Sequence, residues 1–464
     1  MSTPIIFIFF PLSISILLYM LQKKTRLVSL IGILTCILIA LFAIFQDFGG
    51  VLKIGSMSVE IKTTFSFLGR SFALSNEDRF FLSFVFISSA LWFGVTGIAG
   101  VSVSFIPLGL AIISIMTGAL AVEPFLYSAI LVEIAVIVAI PLMIQKGKPV
   151  GKGVLRFLIF QSLAMPLVLF GGWLLGGIQA SPSDASRLLQ AALFLGIGFA
   201  FWLAVFPFQS WVPQLTTEIH PLIAGFFLGL FPVVTLLIML DFISGLVWLR
   251  ESLFIGPVLR LVGTIMIVST GIWAAFEQDA RRLFGYAVLL ESGFSLVLVS
   301  MQSNINVKTL FISFVPRMIG LAVLALALSV IIQNGISPTI GSLKGMIRKL
   351  PFASSALLVS LLSITGFPLL AGFPFRLATL EKLGQGNLNA AMWVLVGITA
   401  FLFAVIRLLS GIASPTLEKW QAVESVSQMI YLSLGILALV ILGVLPNIFG
   451  DSIAGLFIYL PILR

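Results

Sequence analysis

Apolar residues run along this chain in long, nearly uninterrupted blocks, without the strict alternation of a half-buried strand or the narrow stripe of a soluble amphipathic helix. The blocks fall at 4–21, 27–45, 80–99, 101–120, 123–144, 154–178, 188–213, 221–240, 257–276, 283–302, 307–332, 351–374, 388–412 and 428–450. Most approach or exceed the roughly 20 residues that a helix needs to cross a bilayer, so the pattern predicts an all-α polytopic membrane protein with about 14 transmembrane helices. Only one connection is long. Within residues 46–79 the alternating stretch SMSVEIK, Ser56 to Lys62, predicts a small hairpin outside the bilayer. The tail DSIAGLFIYLPILR is too short to span and is expected at the interface.

Composition sharpens this picture. The 464 residues are 60% hydrophobic and 9% charged, against roughly 25% charged in a soluble domain. A globular catalytic domain, a nucleic-acid reader and a secreted module are all excluded. The net charge of +9 is topological. Counting loops alternately puts Lys23, Lys24, Arg26, Lys146, Lys148, Lys152, Arg156, Arg281, Arg282, Lys344, Arg348 and Lys349 on one side. By the positive-inside rule that side is cytoplasmic, and an even helix number sends both termini outward, to the periplasmic side of a bacterial plasma membrane. The single cysteine, Cys36, and the single histidine, His220, leave no disulfide and no multi-cysteine cluster, so no cofactor or metal is expected. The first 21 residues lack a charged leader and a small-residue cleavage site, which predicts a retained helix.

Two helices are predicted to be broken. FPFQSWVP carries Pro207 and Pro213, and SITGFPLLAGFPF carries Gly366, Pro368, Gly372 and Pro374. Proline removes a backbone donor and clashes with the preceding turn, and backbone freed at membrane depth is tolerated only inside protein or beside water. The breaks fall in helices seven and twelve. That spacing fits two inverted five-helix repeats, helices 4–8 and 9–13, of the kind that build transport cores. The organisation expected is residues 1–100 with helices 1–3 and an external loop at 46–79, a first repeat over 101–240, a second over 257–412, and a C-terminal helix and tail over 428–464. Ordinary proline kinks in a bundle are the alternative.

Charges inside the apolar blocks mark the candidate chemistry, because each costs on the order of 2.5–3.5 kcal/mol without a partner or water. Glu133, in SAILVEIAVIVAIPL, is the clearest. A carboxyl in such surroundings holds its proton more tightly and suits proton loading and release; a neutral acid bonded to a neighbouring helix is the structural alternative. Glu291, Arg317 after Pro316, and Arg376 after the second break form a potential charge chain across the second half, with Arg407 placed to snorkel. Arginine does not readily deprotonate, so it holds or gates charge but carries protons poorly. No lysine occurs between Lys152 and Lys308. His220 and Glu218, in TTEIHP, sit beside a proline, where a structural role is the simpler account.

Four local patterns carry a resemblance. FPFQSWVPQLTTE (206–218), DARRLFGYAVLLESG (279–293), LKGMIRKLP (343–351) and TGFPLLAGFPFR (365–376) resemble, in order, segments of the antiporter-like membrane subunits of proton-translocating NADH:quinone oxidoreductase (M/N-type subunits) and Mrp-type sodium/proton antiporters. The resemblance implies a non-redox subunit that moves protons or sodium ions through groups strung along the membrane midplane, with other membrane subunits as partners. It places Glu133 at the family's helix-five glutamate and Arg376 at its helix-twelve lysine or glutamate. It also implies losses: Trp202 stands for the helix-seven lysine, Val233 or Gly229 for the helix-eight lysine, Gln209 for a loop histidine and Glu291 for a helix-ten histidine. The leading expectation is a divergent, proton-translocating subunit of a complex I-related assembly using Glu133, Glu291, Arg317 and Arg376. A non-conducting structural subunit and a standalone secondary ion carrier are the rivals.

Overall fold

The computed structural model describes residues 2–54, 57–144, 147, 149–180, 185–245, 253–301, 304–415 and 420–446. Among them are sixteen helices: α1 Ile5–Met20, α2 Thr25–Phe45, α3 Arg79–Gly94, α4 Phe105–Ala121, α5 Ser128–Met143, α6 Lys152–Ala180, α7 Ala185–Trp202, α8 Trp211–Glu218, α9 Pro221–Gly245, α10 Ile255–Phe276, α11 Ala280–Ser300, α12 Asn304–Gln333, α13 Pro351–Thr365, α14 Phe373–Gly386, α15 Leu388–Ile412 and α16 Val426–Val444. Nine apolar segments among the described residues are long enough to cross a membrane. The protein is a polytopic helical membrane protein. Lys146, Lys148, Ser56 and the tail from 451 onward lie outside the described residues.

The expected breaks are where the helices part: α7 and α8 make up the seventh apolar segment, and α13 and α14 the twelfth. Helix α14 runs on to Gly386, well beyond the apolar block that ended at 374. Its second half is EKLGQG, too polar to register as apolar. The block 80–99 is shortened for the opposite reason. Its glycine-rich end, GVTGIAG, is apolar but turns, and α3 stops at Gly94.

The long connection forms two hairpins, one more than expected. Strand β1 (Val51–Ile54) pairs antiparallel with β2 (Met57–Glu60), and β3 (Thr64–Phe67) with β4 (Arg70–Ala73), which also pairs with β5 (Val122–Glu123) between α4 and α5. Arg79 ties this end together. It is buried, pairs with Asp47, and donates from Nε to the Ala43 carbonyl (2.9 Å) and from Nη2 to that of Ile44 (2.6 Å). Those carbonyls end α2 and have no helical partner of their own, which is why a cation is favoured there.

At the other end, backbone and side-chain bonds join several connections. Glu218 accepts from the N–H groups of Gly153 (2.8 Å) and Val154 (3.0 Å), capping α6. Arg281 pairs with Asp279 and donates to the Thr217 carbonyl at 3.0 Å, and Ala280 N–H donates to Pro338 O. The expected basic residues Lys152, Arg156, Arg281 and Arg282 gather here. In the middle of the bundle α9 is buried from 221 to 240, α11 nearly throughout and α12 mostly, whereas α2, α10, α15 and α16 are peripheral. Apolar side chains cover those peripheral helices, as lipid or an apolar partner requires.

Candidate functional site

The second break is built around an arginine. Helix α13 ends at Gly366 in the left-handed region (φ 82°), and α14 starts at Phe373 with Pro374 in its first turn. A Cβ on Gly366 would press on the Arg376 side chain, and one on Gly372 would overlap the Ser363 carbonyl, so both positions need glycine. Arg376 therefore reaches back across the break. Its Nε and Nη2 donate to the Ile364 carbonyl at 3.2 and 3.0 Å. Nη2 also pairs with Glu291 of α11, and the guanidinium lies 3.7 Å from the Phe294 ring centroid.

Arg317 of α12 completes the cluster. It donates to the hydroxyls of Ser295 (3.4 Å) and Ser292 (3.3 Å), one turn apart along α11. Glu291, Arg317 and Arg376 are 7%, 3% and 6% exposed. A cavity of about 10 Å³ lined by all three, with Ser313, Ser363, Gly372 and Phe375, is at the lower limit for one water molecule. Three of the four charged candidates thus form one site. Phe294, Ser292 and Ser295 were missed by the sequence reading, although Phe294 and Ser295, three and four residues beyond Glu291, share its helix face.

Glu133 is not in that site. It lies in α5, half-buried, and accepts a 2.7 Å bond from the Ser162 hydroxyl of α6, while its Oε2 has no partner. Ser162 is exposed, and so are Ile134, Ile137, Ile159 and Leu163 around it. The pair sits at the edge of the bundle's exposed face, with Glu133 Oε2 itself enclosed by protein.

The first break is chemically different. The chain leaves α7 after Trp202 and turns through Ala204 in the left-handed region (φ 50°). It enters α8 by way of a 3₁₀ turn, Phe208–Ser210. Pro207 lies in the break, but Pro213 lies within the first turn of α8, where a missing N–H costs nothing. Trp202 is fully buried with its indole N–H unpartnered. Gln209 is fully buried too and donates to the Ser269 hydroxyl of α10 at 3.0 Å, with its Oε1 unpartnered. The equally buried Gln161 has a weak 3.5 Å contact with the Phe201 carbonyl. Below the break, a cavity of about 140 Å³ is lined by Gln209, Ser210, Pro213, Gln214, Trp273, Arg282 and Tyr286, room enough for several waters.

His220 Nδ1 accepts from Leu222 N–H at 3.2 Å, a local bond at the start of α9. Arg407 is half-buried, with Nε and Nη2 unpartnered. No group of three or more metal-ligating side chains occurs among the described residues.

Residues 182–406 match a family model described as NADH:quinone oxidoreductase/Mrp antiporter, TM. The chain is 23% identical over 335 residues to NADH-quinone oxidoreductase subunit N of Pelobacter propionicus, covering 68% of this chain and 70% of that protein. Its fold is similar to a chain of the Mrp complex from Dietzia sp., with a TM-score of 0.82 at 17% identity, over 99% of both chains. A chain of respiratory complex I from Thermus thermophilus gives a TM-score of 0.73 at 19% identity, over 98% of this chain and 100% of that one.

Proposed function

We propose that this chain, antiporter-like in sequence and fold, is a membrane subunit of an NADH:quinone oxidoreductase or Mrp-type assembly and takes part in proton translocation across a bacterial plasma membrane. The observation that carries the reading is the half-buried carboxyl of Glu133, bonded to the exposed Ser162 near the middle of α5 and α6 and left with a buried, unpartnered Oε2. A carboxyl within an apolar helix is costly without partners, and the exposed Ser162 beside it leaves room for a neighbouring subunit to supply one. Glu133 is then the group that loads and releases the proton at the junction between subunits, while Glu291, Arg317 and Arg376 hold fixed charge beside the second break.

The packing order supports the two-repeat architecture of fourteen spans. Helix α4 packs on α5 as α10 packs on α11, α6 on α7 as α12 on α13, and α4 on α9 as α10 on α15. Residues 101–240 and 257–412 are the two repeats in this reading, inverted with respect to each other, with Pro207, Gly366, Pro368 and Gly372 at the breaks. The basic end faces the cytoplasm and both termini face outward. The test is Glu133→Gln in the assembled complex. Coupled proton translocation falls roughly tenfold or more if the acid carries the proton, with the complex still intact. Unchanged coupling removes Glu133 from the path.

One observation favours a non-conducting subunit instead. Between the two halves, α9 offers no ionisable side chain from 221 to 240, and Trp202 fills the position where the resemblance places a lysine. Coupling preserved after neutralising Glu133, Glu291 and Arg317 together decides for that second reading.

A further inference from the structure

A second cavity borders the first break, on the other side of α7 from α6. It measures about 720 Å³ and lies between α7, the end of α9 and the start of α10, with Leu296 of α11 behind it. Every side chain that the described residues bring to it is apolar. Leu189, Leu193, Phe254 and Val258 in its lining are exposed, so it opens sideways to the membrane. Helix α7 makes the room. Ala192, Gly196 and Ala200 recur at every fourth residue on the face that it turns to the cavity, and a Cβ on Gly196 would meet nothing within 4 Å. On the opposite face Gly198 packs tightly against Val168 of α6, the close helix approach that small residues serve in membranes. Facing the cavity, Gly196 has open space instead.

Size and chemistry define what fits. A hollow lined only by apolar groups offers water no partners, and its lining forgoes dispersion contacts while it is unfilled. The lining runs along α7 from Leu188 to Ala200, about 18 Å at the rise of an α-helix. That matches one leaflet of a hydrocarbon core roughly 30 Å thick. A helix about 10 Å across needs roughly 1,400 Å³ over the same length, well beyond the space present. A quinone, or another ring bearing carbonyls, would find no donor on these walls. Acyl chains need none. Arg187, exposed in the first turn of α7 next to Leu188, supplies a cation for a phosphate at one end, and the other end closes on Leu203 and Val205 of the first break. We propose that the cavity between α7 and α10 binds the acyl chains of one phospholipid, with its phosphate at the Arg187 end and its chain ends against the first break. The site requires that the chain spans a membrane, not that it conducts protons.

Native mass spectrometry of the purified full-length chain in nonionic detergent, with chromatographic identification of the released lipid, tests this. The wild type retains about one phospholipid per chain through detergent washing. Gly196→Phe puts a ring into the open space and loses that lipid, whereas Leu434→Phe, on the exposed face of α16, keeps it. Arg187→Gln retains it less well. Phospholipid returned to the stripped wild type raises its thermal midpoint, and leaves that of Gly196→Phe where it was. A wild type without retained phospholipid, a quinone retained in its place, or equal retention by Gly196→Phe overturns the site; unchanged retention by Arg187→Gln overturns the placement of the phosphate. Should Gly196→Phe fail to fold, Ala192→Leu, one turn away, carries the same comparison, and the wild type's own retention and thermal response still decide. A negative result here leaves the Glu133→Gln coupling assay untouched, so the two readings fail separately.

Discussion

At the first break the chain turns between Trp202 and Phe208 among an indole and two amides, while at the second it turns between Thr365 and Phe373 around two guanidiniums and a carboxylate. The backbone device is the same, an apolar segment parted into two helices, but the side chains gathered there differ. At the second break Arg376 supplies two donors to the Ile364 carbonyl. Backbone bonds close the helix end at both, Leu203 N–H to Phe199 O and Val205 N–H to Ala200 O at the first (2.9 Å each), Gly366 N–H to Ser363 O and Phe367 N–H to Leu362 O at the second (3.0 Å each), so the arginine is what the second break adds. The comparison teaches that a broken helix does not itself demand charge. Charge at the second break is an addition with its own consequences.

The largest of these falls on Glu291. Changing it to glutamine leaves two guanidiniums buried against each other, and breaking a buried pair by removing one partner costs about 3–5 kcal/mol. Chemical unfolding of the purified chain measures it, and Glu291→Gln/Arg376→Gln recovers part of the loss. A loss below about 1 kcal/mol means that the pair is solvated, and the contrast between the two breaks collapses. Gln209→Leu at the first break is expected to cost much less, because an amide gives up far less on burial than an ion does.

The backbone at the two breaks offers a sharper test, because opposite substitutions act with opposite sign. Gly366 sits at φ 82° with Arg376 against the place of its missing Cβ. Gly366→Ala is therefore expected to cost about 2 kcal/mol from the left-handed conformation and the crowding together. Ala204, at φ 50°, is a residue with a Cβ in the same region. Ala204→Gly stabilises by about 1 kcal/mol or less, the strain relieved being partly offset by a freer unfolded chain. Thermal midpoints moving in the same direction for both changes defeat this account.

Much of this was legible beforehand, for physical reasons that differ by residue. Glu291, Arg317 and Arg376 stand out because a charge in an apolar block has to be explained, and Gly366 and Gly372 because only backbone needs put glycine beside proline there. What stayed hidden is local or relational. Arg79 sits in a polar loop boundary and reads as solvated, although it is buried on the end of α2. Gln161 is an ordinary polar residue in α6 until folding brings it to the Phe201 carbonyl. Pro213 reads as a break but starts α8, because proline suits a first turn as well as an interruption. Above all, the placement of Glu133 at the edge of the exposed face, bonded to Ser162, is invisible to hydropathy, since α5 is apolar on every face around it.

The smallest effect concerns how each half anchors a helix at the basic end. Glu218 caps α6 in the first half, and Glu424 caps α13 in the second, accepting from Phe352 N–H at 3.2 Å and Ala353 N–H at 2.6 Å. Burial raises the Glu424 pKa above the ordinary carboxylate value, against the two backbone bonds that lower it. The folded state therefore holds this proton more tightly than the unfolded chain does. Its contribution is fully present below the unfolded pKa and is lost as pH rises through the folded one. Glu424→Gln keeps one acceptor for the cap and removes the titration, so its cost is expected below about 1 kcal/mol, with a flatter stability profile across mildly acidic pH. Unfolding midpoints of the two proteins over that range check it, and parallel profiles would mean that Glu424 ionises as freely in the fold as out of it.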